Sequence, residues 1–354
     1  MKRALSVSML AATLVGFSAA DEAYAAPLVE SSIVIDGVPL RPGVDTDVHL
    51  QVYTNEAVPC RSKEGTIFAI HGVTHTAATW KPLAQAMFDA NPPGRPVCRI
   101  VAIDLPGHGA SPVPRGALYG ELTADDYVTA ILETTNRLHT SHNLRAATMM
   151  GHSMGGVLIQ MTQQALLEQG TTLRDAMHVD HAIMLAPSMP AAVPWGASDS
   201  GVAAGFAAIF GISTPELGPH MSVPADFWAM VYFQNLSGEI APGAPSGAEA
   251  IAYGYVAPES LAAFAQVTGV APYTRPEVAP GIFMEGLGTD LDIITYEADA
   301  FVRPEENAAL YDYLTGDETR AGLTVLEGND KVHDAHVANP VGWVDAVTPH
   351  VSFP

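Results

Sequence analysis

Positive charge is scarce in this sequence. Sixteen Lys and Arg stand against 38 Asp and Glu, for a formal net charge of −22 at pH 7. Such a surface repels phosphate backbones and anionic lipid, which argues against nucleic acid and anionic membranes as partners. The acids form no long run, so the charge is not that of a disordered tail. Cysteine is scarcer still. Cys60 and Cys98 are the two present, and neither stands in a pattern with a base that would activate a thiolate. Internal repeats and low-complexity tracts are absent, which argues against repeat architectures. No helical His-Glu-x-x-His pattern occurs among the 13 histidines, so a zinc hydrolase has no signature here.

What is present is apolar: 48% of 354 residues are hydrophobic, enough for one large core with an insertion. The first residues read as an export signal. Lys2 and Arg3 precede an apolar stretch that runs to Ala20, and Ala23-Tyr24-Ala25 gives the small-x-small pattern cut by a signal peptidase. Residues 1–25 are therefore expected to be removed and the protein to be periplasmic or secreted. An uncleaved anchor is the alternative, against which Asp21 and Glu22 argue. Export places the cysteines in an oxidising compartment. Cys60 precedes one expected strand and Cys98 begins the next, so a Cys60–Cys98 bridge is expected over two buried thiols.

Residues 31–36 and 47–53 read as an opening hairpin-like pair of strands. Strand and helix then alternate. Short apolar runs at 66–70, 97–103, 145–150 and 181–186 have the character of buried parallel strands, and 79–90, 123–139 and 155–168 carry helical spacing. Thr123 can cap its helix, with acids in the first turn. From 188 to 288 the rhythm breaks into Pro, Gly, Ala, Met and aromatics. A structureless loop of that length inside a domain is uncommon, so a mostly helical inserted cap is expected. Strands at 291–296 and 323–326 and helices at 305–314 and 341–347 resume the alternation. The expected fold class is α/β, a mostly parallel central sheet with helices on both faces, its core formed by 26–187 and 289–354.

Gly151-His152-Ser153-Met154-Gly155 is the strongest chemical signal. It fits Gly-x-Ser-x-Gly and lies between an expected strand and an expected helix, the context that a nucleophile on a sharp turn requires. The glycines let strand and helix approach without Cβ clashes, and the helix N-terminus points free N–H groups at charge developing beside Ser153. Upstream, His71-Gly72-Val73 and Asp104-Leu105-Pro106-Gly107-His108-Gly109-Ala110-Ser111 each follow a strand.

Together these segments resemble the α/β-hydrolase superfamily, in particular the branch of small esterases, lactonases and C–C bond hydrolases. The resemblance implies an oxyanion hole from the backbone N–H groups of Val73 and Met154. His71, Asp104 and His108 are read as shaping their loops. In the family's order of nucleophile, acid and base, the loop from Glu297 to Pro304 supplies Asp299 as the acid, with Asp292 and Glu297 as competitors. The segment His333-Asp334-Ala335-His336, followed by Pro340, supplies the base, His333 over His336. Asp330, His333, Asp334 and His336 are also metal-ligand types, but no metal and no cofactor are expected.

The reading that follows is a serine hydrolase acting through an acyl-enzyme on a small, uncharged ester or lactone. Trp80, Trp195, Trp228 and Phe233 are candidates for an apolar substrate pocket, although most cap aromatics can equally serve packing. Other chemistry on the same residues (C–C bond hydrolysis, perhydrolysis or a lyase reaction) is the alternative, with a metal-dependent hydrolase or a non-catalytic binding protein behind it.

Overall fold

The chain is described here from a computed structural model, covering residues 28–60, 63–90, 97–317, 319–328 and 330–351. The expected signal segment lies outside the described residues.

The opening pair is a long antiparallel hairpin, β1 (Leu28–Arg41) and β2 (Val44–Asn55). In β2 buried and half-buried residues alternate, as in a strand with one face on a core. The next strands are different. β3 (Thr66–Ile70) and β5 (Thr148–His152) are buried at every position, and β4 (Arg99–Ile103) and β6 (His181–Leu185) at all but the first, the signature of parallel strands covered on both faces. The inserted segment contributes β7 (Gly211–Thr214), β8 (Gly218–Met221) and β9 (Glu259–Ser260), and β10 (Asp290–Tyr296) and β11 (Leu323–Leu326) complete the main sheet. Its order is β1-β2-β4-β3-β5-β6-β10-β11, with β1–β2 and β2–β4 antiparallel and the rest parallel.

Helices α1 (Lys81–Ala90), α2 (Ala124–His142) and α3 (Met154–Glu168) connect these strands. Thr123 caps α2 in a reciprocal box with Asp126, which orders its first turn as the sequence indicates. α2 packs on α3 and on β1, whereas α1 packs on the closing helix Val341–Val347. The expected strand at 145–150 begins and ends later, at 148 and 152. Gly151 and His152 carry little strand character, yet they pair with Ile70 and Leu185 in neighbouring strands.

Because β3, β4, β5, β6, β10 and β11 run the same way, their following loops open at one edge of the sheet. The inserted segment lies over that edge. It holds helices Gly196–Asp199, Val202–Phe210, Ala225–Tyr232, Gly247–Ala252 and Leu261–Thr268, as its composition suggests. It also holds a small antiparallel sheet β7-β8-β9, with strands of two to four residues that the sequence reading did not expect.

One carboxylate ties this segment to the core. Glu259, in β9, is fully buried. It accepts hydrogen bonds from His108 Nε2 at 3.0 Å, Tyr127 Oη at 2.8 Å and the Thr74 backbone N–H at 3.3 Å. Burial pushes the His108 imidazole down, but the charge and hydrogen bond of Glu259 outweigh it and hold the ring above its ordinary value. A Cys60–Cys98 disulfide joins the loop before β3 to the start of β4, with Cα atoms 5.4 Å apart across a sequence separation of 38.

Candidate active site

Ser153 occupies the turn between β5 and α3. Its backbone has φ 52° and ψ −113°, a conformation that a residue with a Cβ adopts only when its surroundings impose it. The surroundings do so through close approach. A Cβ on Gly155 would run into the carbonyl oxygen of Ile70, and one on Gly151 into the carbonyl of Gly155. On Gly156 it would come within 2.5 Å of Pro187, and on Gly72 within 3.2 Å of Ser153 Cβ. The turn is this tight only because four positions around it lack side chains.

The loop after β3 therefore passes against Ser153, and Val73 joins Ser153 in lining the same cavity. Met154 is the first residue of α3. Neither the Val73 nor the Met154 N–H is donated to another group among the described residues. His71, expected to shape its loop, does so: Nδ1 bonds Gly72 O at 2.8 Å and Nε2 accepts from Leu105 N–H at 3.2 Å. Asp104 likewise accepts from the N–H groups of Ala77 and Ala110 at 2.7 and 3.0 Å.

Asp299 and His333 are brought together. Asp299 Oδ2 accepts from His333 Nδ1 at 2.8 Å, and its Oδ1 accepts from the N–H groups of Phe301 and Val302 at 2.7 and 3.0 Å. The carboxylate is thereby fixed from behind, and Nε2 of His333 is the nitrogen left for other chemistry. His333 shares the cavity with Ser153. Burial lowers the His333 imidazole, but the Asp299 charge and hydrogen bond, with help from Asp334, hold it above its ordinary value.

The competing residues are engaged elsewhere. Glu297 accepts from Gly328 N–H at 3.0 Å, and Asp292 contacts His181 and His350. His336 is fully buried against His152 and Trp80, ring centroids 4.4 and 5.2 Å away, and neither of its ring nitrogens has a hydrogen-bond partner. Burial first, then the nearby histidines, push it down to about 3, so it is a neutral packing residue. The possible ligand set Asp330, His333, Asp334 and His336 is not assembled. Asp330 instead bonds Lys331 and Asn339.

Sequence reasoning passed over the layer beneath. Asp334 is fully buried and accepts from His75 Nε2 at 2.6 Å, while His152 Nε2 donates to the carbonyl of His333 at 2.9 Å. Asp334 is held below the usual carboxylate range: burial raises it, but the charge and hydrogen bond of His75 lead the opposing influences and outweigh burial. These residues come from the loop after β3, the end of β5 and the loop after β11, and only the sheet order brings them together.

The cavity itself is narrow, about 50 Å³, and no Asp, Glu, Lys or Arg lines it. The loops and the inserted segment supply Trp195, Phe206, Tyr232, Phe264 and Phe301, with Ser188 and Thr268 as further hydroxyls. Among the expected pocket aromatics, Trp195 is there. Trp80, Trp228 and Phe233 are not, and this corrects the expectation. Trp80 is fully buried on His336, Trp228 packs at a tilt on His75 at 5.1 Å, and Phe233 packs on Trp228. Tyr232, one turn after Trp228, takes the cavity position and stacks on His333 and Phe301. Trp228 and Tyr232 lie four residues apart on the same helix, and which of them faces the cavity depends on how the helix is set down.

A parallel sheet carrying a strand–serine–helix elbow, with an acid–histidine pair on later loops, defines an α/β hydrolase. Residues 67–346 match the model of the alpha/beta hydrolase family, and the chain belongs to that family. Solved structures with the same architecture include a peroxisomal alpha-beta-hydrolase from Saccharomyces cerevisiae (TM-score 0.54, 13% identity, 92% of this chain and 88% of that one). Others are the naproxen esterase from Bacillus subtilis (0.51, 13%, 91% and 92%) and the enol-lactonase from Burkholderia xenovorans (0.52, 14%, 86% and 96%). At such identities the likeness is one of fold. No curated protein matches the chain.

Proposed function

We propose that this α/β hydrolase is an exported serine hydrolase that cleaves a carboxylic ester or lactone of a lipophilic or aromatic small molecule. Ser153 is the nucleophile, His333 its general base and Asp299 the group that orients and stabilises the imidazole. The observation that carries the reading is the 2.8 Å Asp299–His333 bond facing the same cavity as a serine at positive φ. His333 Nε2 takes the Ser153 proton as Oγ attacks the carbonyl, and the N–H groups of Val73 and Met154 hold the oxyanion. The protonated His333 then gives its proton to the leaving alkoxide. Water, deprotonated by the same ring, releases the acid. A cavity without formal charge on its walls favours uncharged acyl groups. Removal of the signal at residues 1–25 and export belong to the same reading, in keeping with the disulfide.

The test is active-site labelling with a fluorophosphonate, the site mapped by mass spectrometry, alongside hydrolysis of neutral chromogenic esters and lactones. Wild type should label at Ser153 and turn over. Ser153→Ala should do neither, with kcat reduced by about 10⁴-fold or more. A folded wild type that resists the probe and turns over nothing would refute the nucleophile.

A further inference from the structure

Away from Ser153, three ligating side chains converge at the other end of the sheet. His181 opens β6, Asp292 is the third residue of β10 beside it, and His350 ends the last described turn, Thr348–His350. His181 Nε2 and His350 Nδ1 both contact the same oxygen, Asp292 Oδ2, the second at 2.9 Å. The three ligating atoms lie within 4.8 Å of one another. The proposed hydrolysis uses none of these residues.

The surroundings suit a cation. Asp292 is nearly buried, whereas the two imidazoles keep 17% and 25% of their side-chain surface open. All three line an open groove of about 1000 Å³, whose other charges are Glu285, Asp290 and Asp317 against Arg174 alone. Gly322 stands behind the carboxylate, and a Cβ there would come within 2.9 Å of Asp292 Oδ1. The missing side chain gives the carboxylate its room.

The donor set chooses among cations. Two imidazoles and one carboxylate suit borderline ions such as Zn²⁺, which accept three protein ligands and a water. Mg²⁺ and Ca²⁺ prefer all-oxygen sites. We infer that His181, Asp292 and His350 bind one divalent transition-metal ion of the Zn²⁺ type, with the groove supplying the remaining position to water. The ion fastens the C-terminal turn to β6 and β10.

The experiment uses tag-free protein stripped with a chelator and titrated with ZnCl2 by calorimetry, with Tm and the visible spectrum of a Co²⁺ adduct as further readouts. Wild type should take up one equivalent, gain Tm with Zn²⁺ but not with Mg²⁺, and develop Co²⁺ ligand-field bands. His181→Ala and His350→Ala should each weaken uptake by roughly tenfold or more and lose the Tm gain, while ester turnover stays as in wild type. Absence of saturable uptake by wild type overturns the inference. So does full-affinity uptake by both variants, or an equal Tm gain from Mg²⁺. These outcomes do not depend on whether Ser153 labels.

Discussion

At the scale of single residues, His333 governs when the proposed machinery can run. A general base must be neutral, and Asp299 raises the His333 imidazole above its ordinary value despite burial. Activity should therefore fall on acidification through a midpoint above about 6.5, the unperturbed imidazole value. The sign for stability is opposite. A raised folded pKa stabilises the fold below the unfolded value, and that contribution is lost as pH rises through the folded one. Asp299→Asn removes the main upward influence, so kcat should drop by about 10⁴-fold and the acid midpoint of kcat/KM should move down. A wild-type midpoint at or below the ordinary imidazole value would contradict this account. Ser153 was legible in the sequence from its glycine-flanked strand–turn–helix pattern, and Asp299 and His333 from the acid and base loops that the family resemblance implies. Asp334 and His75 were not, since their contact spans 259 positions and exists only once β3 and β11 lie in one sheet.

Elements were legible where strand and helix alternate, even for β11, which is only four residues long. The hairpin, the alternating strands and α2 with its Thr123 cap all follow from periodicity, whereas β7, β8 and β9 lie in the Pro-, Gly- and Ala-rich segment where that rhythm breaks. Yet β9 carries Glu259, the carboxylate that secures the inserted segment to the loops after β3 and β4 and to α2. Truncating one partner of a buried charge pair leaves the other uncompensated, at about 3–5 kcal/mol. Glu259→Ala should therefore lose that much stability in urea unfolding. It should also open residues 188–288 to limited proteolysis before the sheet itself unfolds. A variant as resistant as wild type would show that apolar packing alone holds the segment in place.

For the molecule as a whole, the disulfide and the charge act together. Closing a loop of the size set by Cys60 and Cys98 removes unfolded-state entropy worth about 4 kcal/mol, in a chain whose net charge of −22 repels itself. Cys60→Ala/Cys98→Ala, or wild type under reductant, should melt several degrees lower, and the deficit should shrink as salt screens the charge. Identical melting with and without the bridge would argue against that role. A different tension runs through the same stability. The elbow holds Ser153 at a φ where glycine rests without strain, at a cost of about 1–3 kcal/mol. The fold would be safer with its nucleophile erased. Neutral drift at position 153 leads downhill toward an inert, sturdier protein, so a serine there persists only while its product is wanted.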